Sequence, residues 1–394
     1  MTLTERADDS LSCPERIAAV VPSDAIGPGR QLIALARPLR RAGIDSLVIV
    51  FHRRGRPAPA LVRHLQEAGV QHCVLEDRGP ADWRMAVTVD TVLQHWRPSV
   101  VQTHGYKATA VAYLLRRLGR AWPWIGFFHG ATSENLSGRF YHWLGRRLLG
   151  SAERVVVMSH AQARAFRHCD GHVRIIYNAA LDLPPVRDVS ERNRLGALAS
   201  TLRRPIVGVV GRLSPEKGVD LFVDACAMLA RKGLRFSALI AGDGPQRAQL
   251  AARCGRLGLK SCVRFIGHVY DVEAVYRNLD LLVLPSRSEG LPNAVLEAIR
   301  ADVPVVATAV GAVPEVVGTS PAARLVTPGS AAALAEAMEG AVTHGDSPDA
   351  AAARREVVGR LSLERRVEAH LELYREILDE RAGVMPACAA SPAA

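Results

Sequence analysis

Short apolar segments alternate with amphipathic segments along almost the whole chain. The apolar segments have the length of buried strands, and the segments between them repeat their apolar residues with the period of a helix that buries one face. This alternation is typical of parallel sheets in which a helix follows each strand. We therefore expect an α/β fold with two doubly wound parallel-sheet domains that face a cleft.

The predicted strands form two groups. The first group is 16–21, 46–51, 100–103, 124–128, 154–158 and 173–176. The second group is 205–210, 236–241, 263–266, 281–284, 303–307 and 323–326. Because ligands bind at the carboxyl ends of the strands in such sheets, the candidate functional residues are those that directly follow a strand.

A segment rich in proline and charge separates the two groups. Its adjacent prolines, Pro184 and Pro185, and the charged residues after them disfavour regular structure. Near the end of the chain, apolar residues at helical spacing predict a long amphipathic helix. The predicted division is 1–183 for the first domain, 184–204 for a linker, 205–360 for the second domain, 361–381 for the C-terminal helix and 382–394 for a disordered tail.

Length and composition narrow the class of protein. With 394 residues, of which 48% are hydrophobic, the chain can bury two cores of ordinary size. No apolar run reaches the roughly 18 residues that span a bilayer. Residues 1–15 lack the apolar core of a signal peptide, so we expect a cytoplasmic protein. The seven cysteines have no metal-ligand spacing and indicate reduced thiols.

Positive charge is concentrated in the first half of the chain. Residues 1–180 contain 24 Lys and Arg against 14 Asp and Glu, a net charge of +10, and the remainder has 26 against 25, a net charge of +1. Nucleic acid and anionic lipid are the usual partners of such a surface. Because no nucleic-acid-binding motif accompanies the charge, we expect no nucleic-acid partner and regard an anionic membrane surface as the partner to test.

Two predicted helices of the first half combine arginines with large apolar residues. Arg116, Arg117 and Arg120 close one helix, and Arg139, Arg146 and Arg147 lie among Phe140, Tyr141, Trp143, Leu144, Leu148 and Leu149 in another. This composition fits a helix that lies in a membrane interface. It equally fits a helix whose apolar residues enter the core and whose arginines form a solvated face.

The most informative stretch is LPSRSEGLPNAVLE at 284–297, in which two carboxylates, Glu289 and Glu297, are eight residues apart. The preceding apolar run predicts a buried strand. Pro292 suits the first position of a helix, because its missing N–H would have no partner there. Glu289 would then lie in the loop and Glu297 on the helix. The alternative is that both are solvated acids near the positive end of a helix dipole.

The same turn predicts an anion site. At the start of the helix, the N–H groups of Gly290, Leu291 and Asn293 would point outward beside the positive end of the dipole, an arrangement that binds phosphate. Arg212 and Lys217 follow another strand and would add two cations at the same edge. Two cations suit a diphosphate leaving group, whose negative charge grows as its bond breaks.

Neither a metal site nor a cofactor site is predicted. The strand ends carry no Asp-x-Asp pair for a divalent ion, so Arg212, Lys217 and the helix N–H groups would neutralise the diphosphate instead. Gly27-Pro28-Gly29 lies between the first strand and a helix predicted over 30–41. It is not a GxGxxG, so a nicotinamide site is not supported. Gly27 and Gly29 either let the backbone approach a phosphate or acceptor, or form an ordinary turn.

Taken together, these motifs resemble those of the retaining glycosyltransferases of family 4, also called glycosyl transferases group 1, which have the GT-B fold. The matching strings are the Glu-x7-Glu element, VVGRLSPEKG at 209–218, LIAGDGP at 239–245 and VRFIGH at 263–268, in the order and spacing of that family. The resemblance is dense over 205–320 and thinner over the first half. It implies transfer of a sugar from a nucleoside diphosphate sugar to an acceptor hydroxyl with retention of configuration, and a C-terminal helix that crosses back to the first domain.

The resemblance also implies roles for single residues. Glu297 would hold the ribose, Glu289 the donor sugar, and Arg212 and Lys217 the diphosphate. His129, which follows the strand 124–128, would contact the donor sugar, although a lone histidine after a strand is more often structural. The further nucleotide-sugar contacts that the resemblance implies are Gly27, Gly29, Gly242, His268, Gly290, Leu291 and Asn293.

Some of the candidate residues also have a simpler, structural explanation. Gly242-Asp243-Gly244 is also favourable turn chemistry, whatever it lines. At His268 the family uses backbone groups, so its side chain says nothing about the base. His104, at the end of the strand 100–103, is balanced between a functional residue and a satisfied histidine at the rim of the sheet.

The acceptor is expected on the first domain. THGYKA at 103–108 and FHG at 128–130 are similar to bacterial transferases of exopolysaccharide and cell-envelope assembly. This similarity implies a lipid-linked sugar acceptor at the inner face of the membrane. Two alternatives remain open at this point: a nucleotide-sugar 2-epimerase of the same architecture, and a non-catalytic sugar-binding scaffold.

Overall fold

The computed structural model describes residues 13–23, 25–55, 60–79, 82–130, 136–167, 172–182 and 189–383. They form two α/β domains, each built on one sheet in which all neighbouring strands are parallel. The predicted fold class is therefore confirmed. No helix in these ranges is both long and apolar enough to cross a membrane.

The first domain has a seven-stranded sheet in the order β3-β2-β1-β4-β5-β6-β7. Its strands are β1 Arg16–Pro22, β2 Asp45–Arg53, β3 His72–Asp77, β4 Val100–His104, β5 Trp124–Phe128, β6 Arg154–Val157 and β7 Val173–Ile175. Its helices are α1 Ile26–Arg41, α2 Ala60–Glu67, α3 Arg84–Trp96, α4 Tyr106–Arg117, α5 Leu136–Leu149 and α6 His160–Ala163.

The second domain has a six-stranded sheet in the order β10-β9-β8-β11-β12-β13. Its strands are β8 Ile206–Val210, β9 Ser237–Ala241, β10 Val263–Gly267, β11 Leu281–Leu284, β12 Val305–Thr308 and β13 Arg324–Val326. Helix α7 Val189–Ser200 precedes this sheet. The helices that follow its strands are α8 Val219–Arg231, α9 Arg247–Arg256, α10 Val272–Tyr276, α11 Asn293–Arg300, α12 Val313–Val317 and α13 Ala331–His344. The chain ends in two further helices, α14 Ala350–Arg360 and α15 Leu363–Ala382.

The strand order reverses once in each sheet. The reversal lies between β1 and β4 in the first domain and between β8 and β11 in the second. Such a switch point leaves a crevice at the carboxyl ends of the strands, which is where open α/β sheets bind ligands. Every predicted strand is present to within two residues at each end. The strand β3 was not predicted, because its half-buried sequence HCVLED lacks a continuous apolar run.

The segment predicted as a linker contains a helix, α7. Of the predicted linker 184–204, the structure describes residues 189–204. The adjacent prolines lie outside the described residues. Charge suggested irregular structure, but the charged residues of α7 bind the second domain. Glu191 accepts the backbone N–H groups of Tyr270 and Asp271 at 3.1 and 2.8 Å, and Arg192 pairs with the Asp271 carboxylate at 3.0 Å.

The C-terminal helix α15 crosses back to the first domain. Its residues Leu373, Tyr374 and Ile377 are buried in the same hydrophobic cluster as residues of both sheets. Glu376 accepts hydrogen bonds from Arg154 of β6, at 2.6 Å, and from Arg174 of β7. The described core is therefore continuous across the two domains, and α15 ties the end of the chain to the first sheet.

Candidate active site

One large cavity separates the two domains. Its volume is about 2390 Å³, and it is lined by the loops that follow β1, β4 and β5 on one side and β8, β9, β10 and β11 on the other. These loops lie at the carboxyl ends of the strands and include both switch points. Because a typical small-molecule site has roughly 300–1,000 Å³, the cavity has room for two substrates side by side.

Glycine allows the strand-end loops to pack closely. Gly242 follows β9 with a φ of 139°, and a Cβ there would collide with the carbonyl oxygen of Gly211 after β8. Gly290 follows β11, and a Cβ there would collide with the backbone carbonyl of His129 from the first domain. No larger residue fits either place without a shift of the backbone. The loops that carry the predicted site residues therefore touch one another, both within the second sheet and across the cleft.

Glu289 and Lys217 form an ion pair in the wall of the cavity. The Lys217 ammonium donates to both carboxylate oxygens of Glu289, at 2.7 and 2.9 Å. The hydroxyl of Ser286 donates to one of the same oxygens at 2.7 Å. The side chain of Glu289 is only 8% exposed, against 28% for Lys217. The residues predicted for the donor sugar and for the diphosphate thus neutralise each other in this structure.

Arg212 differs from Lys217 in its surroundings. It lines the same cavity and is exposed. Its guanidinium has no ion-pair or hydrogen-bond partner among the described residues, whereas the other predicted cation, Lys217, is paired with Glu289. Arg212 can therefore meet an anion without breaking a contact seen in this structure.

The turn before α11 differs in detail from its prediction. The helix begins at Asn293, and Pro292 is its extended N-cap residue, with φ −71° and ψ 118°, so the placement of Pro292 inside the helix was wrong. Within the described residues, the N–H groups of Gly290, Leu291 and Asn293 donate to no backbone carbonyl. The predicted set of unpaired N–H groups at a helix start is therefore present.

Glu297 is buried between the two domains. Its side chain is 8% exposed, and Arg30 of α1 donates to its Oε1 at 2.6 Å. The hydroxyl of Tyr276 donates to Oε2 at 2.9 Å. Burial, followed by the charge of Glu297, raises the pKa of Tyr276 well above its ordinary value, so the phenol keeps its proton for this bond. Both oxygens of Glu297 are thus held by donors from different domains.

Asn293 joins the start of α11 to the first domain. Its side-chain oxygen accepts from Asn178 at 3.0 Å and from Gln31 at 3.3 Å, and its amide donates to the carbonyl of Gly27 at 3.3 Å. A Cβ on Gly27 would lie 3.2 Å from the same amide. The small size of Gly27 therefore allows α1 to approach α11.

The glycines of the first domain do not form the expected loop. Helix α1 already begins at Ile26, so Gly27 and Gly29 lie in its first turn and the loop prediction was wrong. Gly29 is buried against Leu61 of α2, where a Cβ would collide with the leucine side chain. Gly29 therefore serves helix packing, and Gly27 is the one of the pair that lines the cavity.

His129 lies on the first-domain side of the cavity, paired with His104. The Nε2 atom of His129 is 2.8 Å from Nδ1 of His104. His104 in turn stacks on Phe127, with ring centroids 4.5 Å apart. Burial and the nearby charge of Arg366 lower the pKa of His129 to about 3, so this histidine is neutral at physiological pH. Sequence reasoning treated the two histidines separately, but the structure joins them.

His268 and Gly242 lie on the second-domain wall. His268 is exposed, and its ring meets the Tyr270 ring edge to face at a centroid distance of 4.7 Å. Across the cleft, the Arg63 guanidinium of α2 lies 3.7 Å from the centroid of the Tyr270 ring. Leu291 is 6% exposed, and its carbonyl accepts from Asn178. All three predicted residues line the cavity.

Sequence reasoning missed Arg30, Tyr276 and Ser286 as parts of this site. Arg30 follows the glycine pair directly, so its position beside a suspected phosphate loop was the one available signal. Tyr276 and Ser286 carried none, because a single Tyr in a helix and a Ser in a turn are common. Among the described residues, no group of three or more His, Cys, Asp and Glu side chains is placed to hold a metal ion.

Comparison with known proteins identifies the family. A model described as "Glycosyl transferase 4-like domain" matches residues 27–179, and one described as "Glycosyl transferases group 1" matches residues 204–344. A 2-deoxystreptamine N-acetyl-D-glucosaminyltransferase of Streptomyces fradiae is 30% identical over 91% of this chain and 93% of its own length. A lipopolysaccharide core biosynthesis mannosyltransferase of Rhizobium leguminosarum is 29% identical over 77% of this chain and 86% of its own length.

Other similarities are more local or concern the fold. The match to a 2-deoxystreptamine glucosyltransferase of Streptomyces kanamyceticus, 39% identical, spans 34% of this chain and 35% of that enzyme. The solved structure of Anabaena HepE in complex with UDP-glucose has a TM-score of 0.76 at 22% identity, over 93% of this chain and 99% of that chain. The chain therefore belongs to the group 1 glycosyltransferases and has the GT-B fold.

Proposed function

We propose that this protein transfers a sugar from a nucleoside diphosphate sugar to an acceptor hydroxyl, with retention of configuration and without a metal ion, in the synthesis of a bacterial exopolysaccharide or cell-envelope glycan. The observation that carries the proposal is the convergence of Arg212, Lys217 and the start of α11 on one wall of the cavity, with His129 on the opposite wall. Cations and unpaired N–H groups on one side suit a diphosphate, and the other side is open to a second substrate.

Charge exchange explains how the donor would enter. In this structure the Lys217 ammonium is neutralised by Glu289. A diphosphate brings enough negative charge to take over Lys217 and to bind Arg212, and Glu289 is then released to accept hydroxyl groups of the donor sugar. Negative charge grows on the diphosphate as its bond to the sugar breaks, so these cations stabilise the transition state more than the ground state. They take the place that a divalent ion has in metal-dependent transferases.

The ribose would bind at Glu297. Each carboxylate oxygen can accept more than one hydrogen bond, so Glu297 can hold two ribose hydroxyls while Tyr276 remains bound. Gly242 and His268 line the adjacent wall, where the base would lie. We expect UDP as the nucleotide, because a structural neighbour is solved with UDP-glucose.

The acceptor half of the cavity is aromatic and basic. Tyr106 of α4 and Tyr141 of α5 stack with ring centroids 4.9 Å apart, and Arg146 lines the cavity beside them. Arg146 has no ion-pair partner in the part of the chain that the structure describes. Aromatic faces suit sugar rings, and a cation suits an anionic group. This wall favours an acceptor with a phosphate or carboxylate over a cationic acceptor such as 2-deoxystreptamine, which appears in the names of two Streptomyces relatives.

The outer face of helix α5 would meet the membrane. Trp143 is 47% exposed, and the Arg147 guanidinium lies over its ring at 5.5 Å. Leu114 and Leu118 at the end of α4 are also exposed. The structure thus separates the two arginines of α5: Arg146 lines the cavity, and Arg147 joins an exposed aromatic residue, as at a membrane interface. Arg139 and Phe140 lie outside the residues whose side chains are described.

Binding of the donor tests the proposal most simply. In thermal unfolding, UDP should stabilise the protein more than GDP or ADP does at the same concentration. At 100 times its dissociation constant, UDP should add about 2.7 kcal/mol relative to the ligand-free protein. Incubation with UDP-sugars alone should leave C2 of the sugar unchanged, because the protein is not proposed to be an epimerase. EDTA should change neither binding nor transfer. Stabilisation by no nucleotide, or a strict need for a divalent ion, would contradict the proposal.

Removing either Arg212 or Lys217, the two cations proposed to bind the diphosphate, should slow turnover. Arg212→Ala breaks no ion pair within the described residues, so it should leave the unfolding temperature unchanged and lower kcat on the order of 10²–10³, the loss typical of one preorganised donor. Lys217→Ala should lower kcat similarly. Lys232→Ala, which removes an exposed cation paired with Glu339 in the same domain, is the matched control and should be neutral. A near-native kcat for Arg212→Ala at saturating donor would show that Arg212 does not stabilise the diphosphate in the transition state.

The two carboxylates should differ in what they affect. Glu297→Ala should mainly weaken UDP binding, whereas Glu289→Gln should mainly lower kcat. Arg30→Met is the control, because it removes the interdomain partner of Glu297 and keeps the carboxylate. Calorimetric titration with UDP decides between the roles. If Arg30→Met weakens UDP binding as much as Glu297→Ala does, Glu297 acts by joining the domains, and its assignment to the ribose fails.

Sedimentation with vesicles tests the membrane surface. The protein should pellet with anionic vesicles at low salt, remain in solution with neutral ones, and be released by high salt, since each basic residue near the surface contributes about 1 kcal/mol that salt screens. Arg147→Glu should weaken this binding more than Arg37→Glu, the same charge change at an exposed site of α1. Equal losses would mean that net charge alone is responsible. Failure to pellet with anionic vesicles would favour a soluble acceptor.

A further inference from the structure

Three histidines and one arginine meet beneath the first-domain wall of the cavity. His104 and His129 come from the ends of β4 and β5, and Arg366 and His370 come from α15. The rings of His104, His129 and His370 all stack against Phe127, with centroid distances of 4.5, 6.2 and 5.9 Å. His104 and His370 are at most 2% exposed, and Arg366 is 6% exposed. Of these four residues, only His104 and His129 line the cavity.

This cluster holds the histidine pair in its neutral form. Burial, the other histidines and Arg366 together lower the pKa of His104 well below its ordinary value, and burial with Arg366 does the same for His129. The Arg366 guanidinium is itself fixed by a hydrogen bond from its Nη1 to the carbonyl of Tyr177. A buried cation in this position opposes any proton beyond the one that each neutral ring carries. One proton therefore lies between His104 Nδ1 and His129 Nε2, which are 2.8 Å apart.

That proton can belong to either ring, and the rest of the cluster distinguishes the two cases. If His129 Nε2–H donates, neutral His104 must carry its own proton on Nε2. His104 Nε2 is buried and has no hydrogen-bond partner, so this N–H would be orphaned beside a cation. If His104 Nδ1–H donates, Nε2 presents a lone pair instead. The positive charge of Arg366 acts on His104, and a buried lone pair without a partner costs less than an orphaned N–H near a cation.

We infer that His104 is a positioning residue that fixes the tautomer of His129, so that His129 presents Nδ1–H to the cavity as a hydrogen-bond donor to an oxygen of the donor sugar. His104 Nδ1–H donates to His129 Nε2, and the remaining proton of His129 is then on Nδ1. The stack on Phe127 holds His104 in place, and Arg366 of α15 keeps the pair neutral. The inference rests on the proposed function only for the identity of the group that His129 meets.

The tautomer can be measured without any substrate. Protein with ¹⁵N-labelled histidine rings distinguishes Nδ1–H from Nε2–H in long-range ¹H–¹⁵N spectra, and His129→Gln assigns the signals. We expect His129 to be neutral with its proton on Nδ1, and His104 to be neutral with its proton on Nδ1 as well. A His129 proton found on Nε2, or a charged ring at pH 7, would overturn the inference. This measurement needs no variant of His104 and no knowledge of the acceptor.

His104→Phe then tests the role, because it keeps an aromatic ring on Phe127 and removes both nitrogen atoms. His129 should lose its single tautomer, and kcat with UDP-glucose should fall about 10-fold with an unchanged KM, equivalent to one hydrogen bond of about 1.4 kcal/mol. His370→Phe, in the same stack but not bonded to His129, is the control and should keep both the tautomer and kcat. An unchanged His129 tautomer in His104→Phe would refute the inference. Absence of turnover with every UDP-sugar tried in the wild type would count against the proposed function, and the tautomer result would still decide this inference.

Discussion

Buried charge in the cleft is the constraint on which the rest of the structure depends. Removing a carboxylate from water costs several kcal/mol unless other groups compensate it. Glu297, 8% exposed, is compensated by Arg30 from the first domain and Tyr276 from the second. Glu289, equally buried, is compensated by Lys217 and Ser286. The two acids that the family motif places eight residues apart are therefore stable here because Arg30 and Lys217, from distant parts of the chain, meet them.

This compensation couples recognition to domain contact. Arg30 reaches Glu297 only because α1 lies against α11, and that approach depends on the small size of Gly27 and on the hydrogen bonds of Asn293. The loop at Gly290 touches the backbone of His129 in the same region. Residues that would bind the donor thus also hold the two domains together. A nucleotide sugar that displaces Arg30 from Glu297 would alter the domain interface along with the charge of the site.

Most of the fold, and part of the site, could be predicted from the sequence. Buried parallel strands are continuous apolar runs, so their positions were found, and β3 was missed because it is polar at both ends and half-buried. The motif residues Arg212, Lys217, Glu289 and Glu297 all line one cavity as expected. Arg30 was not linked to Glu297, since the two are 267 residues apart and no local pattern connects them.

Local rules were less reliable where tertiary contacts compete with them. The glycine pair in 27–29 suggested a loop, yet packing of Gly29 on Leu61 and of Gly27 near Asn293 holds both in the first turn of α1. The paired prolines and the charge of 184–204 suggested a linker, yet Glu191 and Arg192 bind the second domain and a helix forms over 189–200. The pairing of His104 with His129 has no sequence signal, because the two residues lie on neighbouring strands 25 residues apart.

The central claim is that the donor diphosphate exchanges places with Glu289 as the partner of Lys217. The most direct measurement is a crystal structure with a bound UDP-sugar, determined at a resolution that places the Lys217 ammonium. The account predicts that Nζ of Lys217 leaves both oxygens of Glu289 and contacts the diphosphate together with Arg212, with Glu289 turned to the sugar hydroxyls. An intact pair between Lys217 and Glu289, with the diphosphate bound elsewhere, would contradict it.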